Sequence, residues 1–308
     1  MARRPPPRHN PRVSDRLCRG LLRERGLRAV FVRVSDTSRT ARALHGLSPT
    51  TAHLLAESLA AAALFGAAQD EGGRVNLQLA CDGPLRGLLV DADPGGGLRG
   101  WVKVPWVHFA GPPAEAARAA LGGKGMLSVQ RDRGDGRFER STRELRALSL
   151  PEDLRSWFAA SLLVAAAVDV AVVPLPGEPL GQVGGILVQQ EMGGGGDEAG
   201  EAVRAARERT ADGTLARALA AGCSSQEVIA LVAGPGFEVQ ADLELAYRCG
   251  CSAERARVAV SALGREGIAD VLAREGRATV TCEFCRQRYL LDADELRELA
   301  GQLDGPGA

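Results

Sequence analysis

The side chains best suited to chemistry lie near the C-terminal end of this 308-residue chain. Cys249–Gly250–Cys251 is followed, after thirty intervening residues, by Cys282–Glu283–Phe284–Cys285, which places four of the seven cysteines in one short window. A CxC or a CxxC alone is a weak signal, because close cysteines also arise by chance or as a simple dithiol. Two such pairs flanking a helix-sized insert read as four thiolate arms that can converge on one tetrahedral Zn2+, an ion that takes sulfur ligands at roughly 2.3 Å. Unrelated thiols, or two disulfides in an oxidised chain, are the other readings these residues allow.

No second set of residues competes with this one. The four histidines are His9, His45, His53 and His108, and none falls into an ordered Ser/His/Asp or Cys/His motif, so the chain is not expected to be an enzyme. Gly122–Gly123–Lys124–Gly125 resembles a phosphate loop but lacks the Walker spacing and the Ser or Thr that follows it. Cys18, Cys81 and Cys223 read as small apolar side chains, with Cys223 singled out by its place in a candidate switch segment.

The elements that must position the four cysteines can be read around them. Ser252 opens one helix after the CxC, and a second runs through Ile268, Val271 and Leu272 to Gly276. Thr279–Thr281 leads into the CxxC as a strand, Arg288–Leu291 returns, and Asp292-x-x-Glu295 caps a last helix carrying Leu296 and Leu299. Residues 245–308 thus form a small module whose core is too poor to stand alone, so metal ligation, on the order of 10 kcal/mol, is expected to hold it together.

Upstream, residues 193–244 carry nine acidic side chains against four arginines and short helical patterns broken at Asp212–Gly213. Ser224-x-x-Glu227 is a capping box, and Gly193–Gly196 marks the boundary before it. This segment reads as a metastable helical linker that depends on docking elsewhere.

Residues 13–192 read as an α+β domain, one sheet with apolar helices on it. Val13–Arg25 is amphipathic with Leu17, Leu21 and Leu22 on one face, and Val30–Val34 is a strand. Ser48–Pro49 starts a helix to about Gly66 that is apolar on most sides. Strands follow at Val75–Leu79, Gly87–Asp91, Leu98–Val104 and Met126–Arg131, then a helix at Pro151–Val168 and strands at Ala171–Val173 and Gly184–Gln190. Residues 1–12 read as a disordered basic tail, and residues 1–28 hold nine arginines against Asp15 and Glu24.

Charge and hydropathy exclude several classes. Formal net charge is zero, which gives the whole chain no nucleic-acid or anionic-membrane footprint. The basic start lacks the apolar core of a signal peptide, and no window approaches the ~18–20 apolar residues of a membrane span. A cytoplasmic protein is expected, in a compartment that keeps thiols reduced.

These features combine with further motifs into a resemblance. Val30–Phe31–Val32–Arg33–Val34–Ser35–Asp36–Thr37, His45–Gly46–Leu47–Ser48–Pro49–Thr50 and Asp82–Gly83–Pro84–Leu85 with Val90–Asp91–Ala92–Asp93–Pro94 resemble the heat shock protein 33 family. Gly184–Gly185 with Leu187–Val188–Gln189, and the Cys282–Cys285 knuckle with Tyr289, extend the resemblance to nearly the whole chain.

It implies a redox-regulated holdase that works without ATP. The reduced protein would hold one zinc through Cys249, Cys251, Cys282 and Cys285 and be inactive. Peroxide or hypochlorite would form the disulfides Cys249–Cys251 and Cys282–Cys285, release zinc and unfold the C-terminal module and the linker. Unfolding client proteins would then be captured, with the reduced monomer becoming a dimer. The expected client surface is the apolar helix with Leu54, Leu55, Leu59, Leu64 and Phe65, plus sheet edges uncovered by the linker.

The chain departs from the family at three places. Gly250 stands where an acid is usual, Ser161–Leu162–Leu163 replaces a Ser-Glu-Gln, and Arg137–Ser141 lacks a Tyr-x-Gly. Two other functions compete with the holdase. A zinc-ribbon nucleic-acid binder could stack bases on Phe284 and Tyr289, but residues 245–308 carry nine arginines against ten acids. A thiol–disulfide oxidoreductase would need Cys282–Cys285 at a strand-to-helix start, which the pattern does not provide.

Overall fold

A computed structural model describes residues 14–68, 73–132, 137–161, 165–191 and 196–303. The chain forms two compact units, one ending at Arg248 and one beginning at Cys249. Elements of the first unit, in order, are β1 (Arg16–Leu22), β2 (Leu27–Arg33), α1 (Ser35–His45), α2 (Pro49–Ala67), β3 (Arg74–Cys81), β4 (Gly87–Ala92) and β5 (Gly97–Val102). Next come α3 (Pro113–Leu121), β6 (Gly125–Asp132), β7 (Phe138–Glu144), α4 (Leu150–Ser161), β8 (Ala166–Leu175) and β9 (Glu178–Gln190). The unit ends with α5 (Gly196–Ala211), α6 (Thr214–Ala220), α7 (Ser225–Ala233), β10 (Glu238–Glu244) and β11 (Ala246–Tyr247).

The α+β class is as expected, but the strands make two sheets rather than one. The first has the order β10-β1-β2-β9-β8 and the second β11-β5-β4-β3-β6-β7. Local alternation shows that a segment is a strand, not which sheet it joins, so the division was invisible in the pattern. Between the sheets runs α2, started by Ser48, whose hydroxyl accepts the Thr51 N–H at 3.3 Å, and by Pro49. Leucines and alanines cover it on every side, so it fills the central core together with the inward residues of both sheets.

Three other local expectations are corrected. Val13–Arg25 is not one amphipathic face: Leu17 points into the central core, whereas Cys18 and Leu22 join a second apolar cluster on the far side of the same strand. β1 lies between β2 and β10 and is buried on both faces, which a helical spacing of leucines imitates. Helix α1 was not anticipated, because its cap comes from afar: the buried Asp15 carboxylate accepts the Asp36 and Thr37 N–H groups at 3.0 and 2.6 Å. Helix α4 is described over Leu150–Ser161, and Ala166–Val168, expected as its last turn, pairs with β9 as the start of β8. A continuous apolar run does not by itself separate buried helix from buried strand.

The second apolar cluster covers the outer face of the first sheet. Leu22, Leu27, Ala29, Phe31, Ile186 and Val188 from the strands meet Val203, Leu215, Leu219, Val228, Ile229 and Val232 from α5, α6 and α7. The capping box at Ser224 is present, with Ser224 N–H donating to Glu227 Oε2 at 2.7 Å. The chain then runs as a strap across both sheets. β10 pairs antiparallel with β1, and β11 pairs parallel with β5. Alternating Val239, Ala241, Leu243 and Leu245 was the period-two signal for it.

The second unit contains α8 (Ala253–Ser261), α9 (Gly264–Glu275), the antiparallel pair β12 (Ala278–Thr281) and β13 (Arg288–Leu291), and α10 (Ala293–Gln302). Its buried apolar side chains among the described residues are Ala256, Val260, Ile268, Ala278, Leu291, Leu296 and Leu299. The Asp292–Glu295 capping box starts α10.

Candidate metal centre

The two cysteine pairs are carried by different local structures. Cys249–Cys251 lies immediately before α8, which Ser252 caps by accepting the Arg255 N–H at 3.2 Å. Cys282–Cys285 lies on the turn between β12 and β13. There Cys282 N–H donates to Gln287 O and Arg286 N–H donates to Cys282 O, both at 2.9 Å. Arg286 takes a left-handed φ of 61° to close the turn, a conformation glycine adopts more cheaply. Its guanidinium pairs with Glu283 at 2.8 Å across the knuckle.

All four sulfurs come together, lying within 4.8 Å of one another, each residue half-buried. Cys249 and Cys282 Sγ are 3.7 Å apart, and Cys251 and Cys285 Sγ 3.3 Å. A tetrahedron with ligands at 2.3 Å from its centre has edges of roughly 3.8 Å. The donor set therefore fits one zinc-sized ion without movement of more than a fraction of an ångström per sulfur. Charge points the same way. Burial, and then the neighbouring cysteine sulfurs, push the Cys285 thiol up to about 12, against the opposing Gln287 N–H. Four thiolates at this spacing need a cation to be ionised together.

A further polar contact completes the site. The Tyr289 hydroxyl donates to Cys251 Sγ at 3.0 Å, and that bond pushes the phenol itself up to about 12. A hydrogen bond to a ligating sulfur orients it and spreads its charge. At Gly250 a Cβ would meet only Arg255 Nη1, at 3.8 Å.

Other residues singled out in the sequence have structural partners. In the Gly122–Gly125 loop the Gly123 and Lys124 N–H groups both donate to Asp82 Oδ1 at 2.9 Å, so a carboxylate of the chain occupies the place a phosphate would take. His53 Nε2 pairs with Glu57 at 3.2 Å. Burial lowers that imidazole, but the charge and hydrogen bond of Glu57 outweigh it and hold it above its ordinary value. His108 meets Thr50 Oγ1 at 3.1 Å and His45 meets the Tyr247 hydroxyl at 3.3 Å. Cys18 is buried and its thiol is pushed up to about 11, chiefly by that burial.

Leu54, Leu55, Leu59, Leu64 and Phe65 are all at most 3% exposed, so none of them offers a surface in this state. Phe65 stacks on Phe158 and meets Trp157 edge-on within the core. Leu162, Leu163, the basic tail 1–12 and Gly193–Gly195 lie outside the described residues. Two buried charges went unread in the sequence: Arg33, which donates to Gln182 Oε1 at 2.6 Å and Cys223 O at 2.7 Å, and Asp169, which pairs with Arg155 at 2.7 Å. An isolated Arg or Asp within an apolar strand was their only signal. Among the described residues no helix is long and apolar enough to cross a membrane.

Comparison with known proteins places this architecture. The family model described as Hsp33 protein matches residues 15–292. The 33 kDa chaperonin of Pelobacter propionicus is 33% identical over 94% of each chain. Those of Picosynechococcus sp. and Bacillus subtilis are 31% and 27% identical over 94% of this chain and 98% and 99% of their own. A crystal structure of the Thermotoga maritima 33 kDa chaperonin (heat shock protein 33 homolog) superposes with a TM-score of 0.82 at 25% identity, covering 95% of this chain and all of that one. Two sheets, an apolar face under helices and a four-cysteine cluster thus accompany a family match along the folded chain, which belongs to the Hsp33 family of chaperones.

Proposed function

We propose that the chain is a redox-switched holdase, held inactive when reduced by zinc on Cys249, Cys251, Cys282 and Cys285. Convergence of four sulfurs within 4.8 Å, in a unit with so small an apolar core, carries the reading. Zinc, when bound, keeps the four sulfurs as thiolates and supplies folding free energy on the order of 10 kcal/mol. Tyr289 holds the Cys251 sulfur in place, and the capped turns on either side fix the pairs.

Thiolates are the oxidisable form of cysteine. As the family resemblance implies, Cys249 joins Cys251 and Cys282 joins Cys285. Each disulfide forms as two thiolate sulfurs give up two electrons. Two peroxide molecules accept the four electrons and, with four protons, leave as four waters. Disulfide sulfurs are no longer thiolate ligands, so the oxidised pairs cannot hold the ion, and the second unit loses its main stabiliser.

The linker then undocks. Residues 196–237 bury apolar side chains on the outer face of the first sheet, and Leu22, Leu27, Phe31, Ile186 and Val188 become a surface when they leave. This face replaces the α2 leucines as the principal client surface, because it can be uncovered without opening the central core. Clients are unfolding proteins with exposed apolar segments, captured without ATP. The oxidised protein dimerises, and the protein works in the cytoplasm.

Zinc content and aggregation suppression on one sample, before and after peroxide at mildly elevated temperature, test this. One zinc per chain released as suppression appears, reversed by dithiothreitol, is the expected result. Zinc retained, or released with no suppression, would refute the switch.

A further inference from the structure

The strap that closes the first unit occupies two sheet edges at once. β10 is the outermost strand of the first sheet, on β1, and β11 the outermost of the second, on β5. Only Arg248 separates Tyr247 from the first cysteine of the cluster. A strand edge from which a partner has been removed presents a row of unpaired backbone groups, and such edges accept extended chain.

Three features define what the β1 edge accepts. First, backbone fits closely there: a Cβ on Gly20 would lie 1.9 Å from Glu238 O, at the register shift between Arg19 and Gly20. Second, the edge is basic. Arg16 pairs with Asp242 at 2.7 Å and Arg23 with Glu238 at 2.8 Å, so acidic side chains of the occupant meet arginines of the fold. Third, the apolar side is underfilled. An open pocket of about 290 Å³ lies beside the strap, with Leu17, Leu98, Ala241 and Leu243 on its apolar wall and Arg19 and Asp93 on its polar one. Ala241 is a small side chain over that space, and a larger apolar group fits there.

We propose that the β1 edge is a binding site for extended segments of unfolding proteins, in which acidic and apolar residues alternate, added as a strand in place of β10. This rests on the reading that oxidation releases the strap. The sheet supplies main-chain hydrogen bonds whatever the sequence, while the arginines and the pocket set the preference. A segment with a bulky apolar residue at the Ala241 position outcompetes the strap, whose own fit is loose.

The probe is a fluorescent heptapeptide of the Glu238–Glu244 sequence, and a second carrying the Ala241→Leu change, titrated against full-length protein before and after oxidation. Aggregation suppression is measured on the same samples. Binding after oxidation only is expected, at least several-fold tighter for the Leu peptide. N-methylation walked along the peptide abolishes binding at alternate positions, since only every other N–H faces the sheet. Arg16→Glu with Arg23→Glu weakens the acidic peptide several-fold and favours one with Lys at the acidic positions.

Suppression without peptide binding, or N-methyl effects without period two, overturns the edge site and leaves the switch intact. Peptide binding with period two but no suppression refutes the holdase reading while supporting the edge. Should the edge be taken instead by the strap of a second copy, oxidised dimers lost in the double arginine variant would appear with no peptide binding, and the inference would be wrong.

Discussion

The two units solve the problem of stability differently. In the first, α2 is buried between two sheets and a second apolar cluster backs the outer face, so removal of any one side chain leaves most of the core in place. In the second, seven buried apolar side chains, three of them alanine or valine, share one small interior with four half-buried cysteines beside it. An apolar core is indifferent to oxidants, and thiolates are not. An oxidant that reaches the four cysteines therefore acts on side chains the second unit depends on, whereas Cys18, Cys81 and Cys223 of the first unit sit in or beside apolar clusters that do not rest on them.

Removing the metal should break the comparison most sharply. Chelation, or Cys249→Ser with Cys282→Ser, is expected to abolish the second unit's own unfolding transition, a loss on the order of 10 kcal/mol. Calorimetry should still find the first unit's transition, and loss of both would show that the units share one core. Conversely, Leu59→Ala in α2 should destabilise the first unit by about 3 kcal/mol while zinc affinity stays unchanged. Denaturant titration beside a zinc competition assay reads both quantities.

Acid sharpens the contrast from the side of the first unit. Burial raises the Asp169 carboxyl to about 6, and the Arg155 ion pair only partly offsets it. A carboxyl raised in the folded state binds its proton more tightly there than in the unfolded chain. Through this group, stability is therefore gained as pH falls from above 6 toward 4, and is absent at pH 7.5. Asp169→Asn should raise first-unit stability at pH 7.5 by about 1–3 kcal/mol and flatten that slope. A variant with an unchanged slope would show that another group titrates there.

Smaller effects fall at the linker and the knuckle. Ser224→Ala removes the α7 cap and should cost about 1 kcal/mol, seen as faster hydrogen exchange in α7 and quicker activation by peroxide. Gly250→Asp meets open space and Arg255, so the melting of the second unit should shift by less than about 0.5 kcal/mol. A large shift would mean that the glycine is required by the backbone.

Legibility followed the range of the causes. The second unit's elements and its cysteine cluster were readable because spacing, caps and turns are local: Ser252, the Cys282–Cys285 turn and Asp292 each act within a few residues. Helix α2 was readable from Ser48–Pro49 and its composition. What escaped depended on distant partners. Asp15 caps α1 from the residue before β1, β8 starts where β9 pairs with it, and the strap belongs to two sheets at once. Leu54 to Phe65 were correctly seen as apolar, but whether such a helix is covered or offered is decided by the sheets on either side.

The buried guanidinium of Arg33 has a consequence for recovery after stress. It is 1% exposed and donates to the carbonyl of Cys223, between α6 and α7. Apolar surfaces alone let helices slide and settle in many places, because grease has no address. Gln182 of the sheet holds one arm of the guanidinium throughout, but the other arm is satisfied only by the Cys223 carbonyl, so a misplaced docking leaves that arm without its acceptor. On the proposed switch, water takes over the Cys223 bond when the linker lifts, so departure leaves no orphan charge. On that same proposal, this asymmetry makes return of the linker selective while leaving its release open.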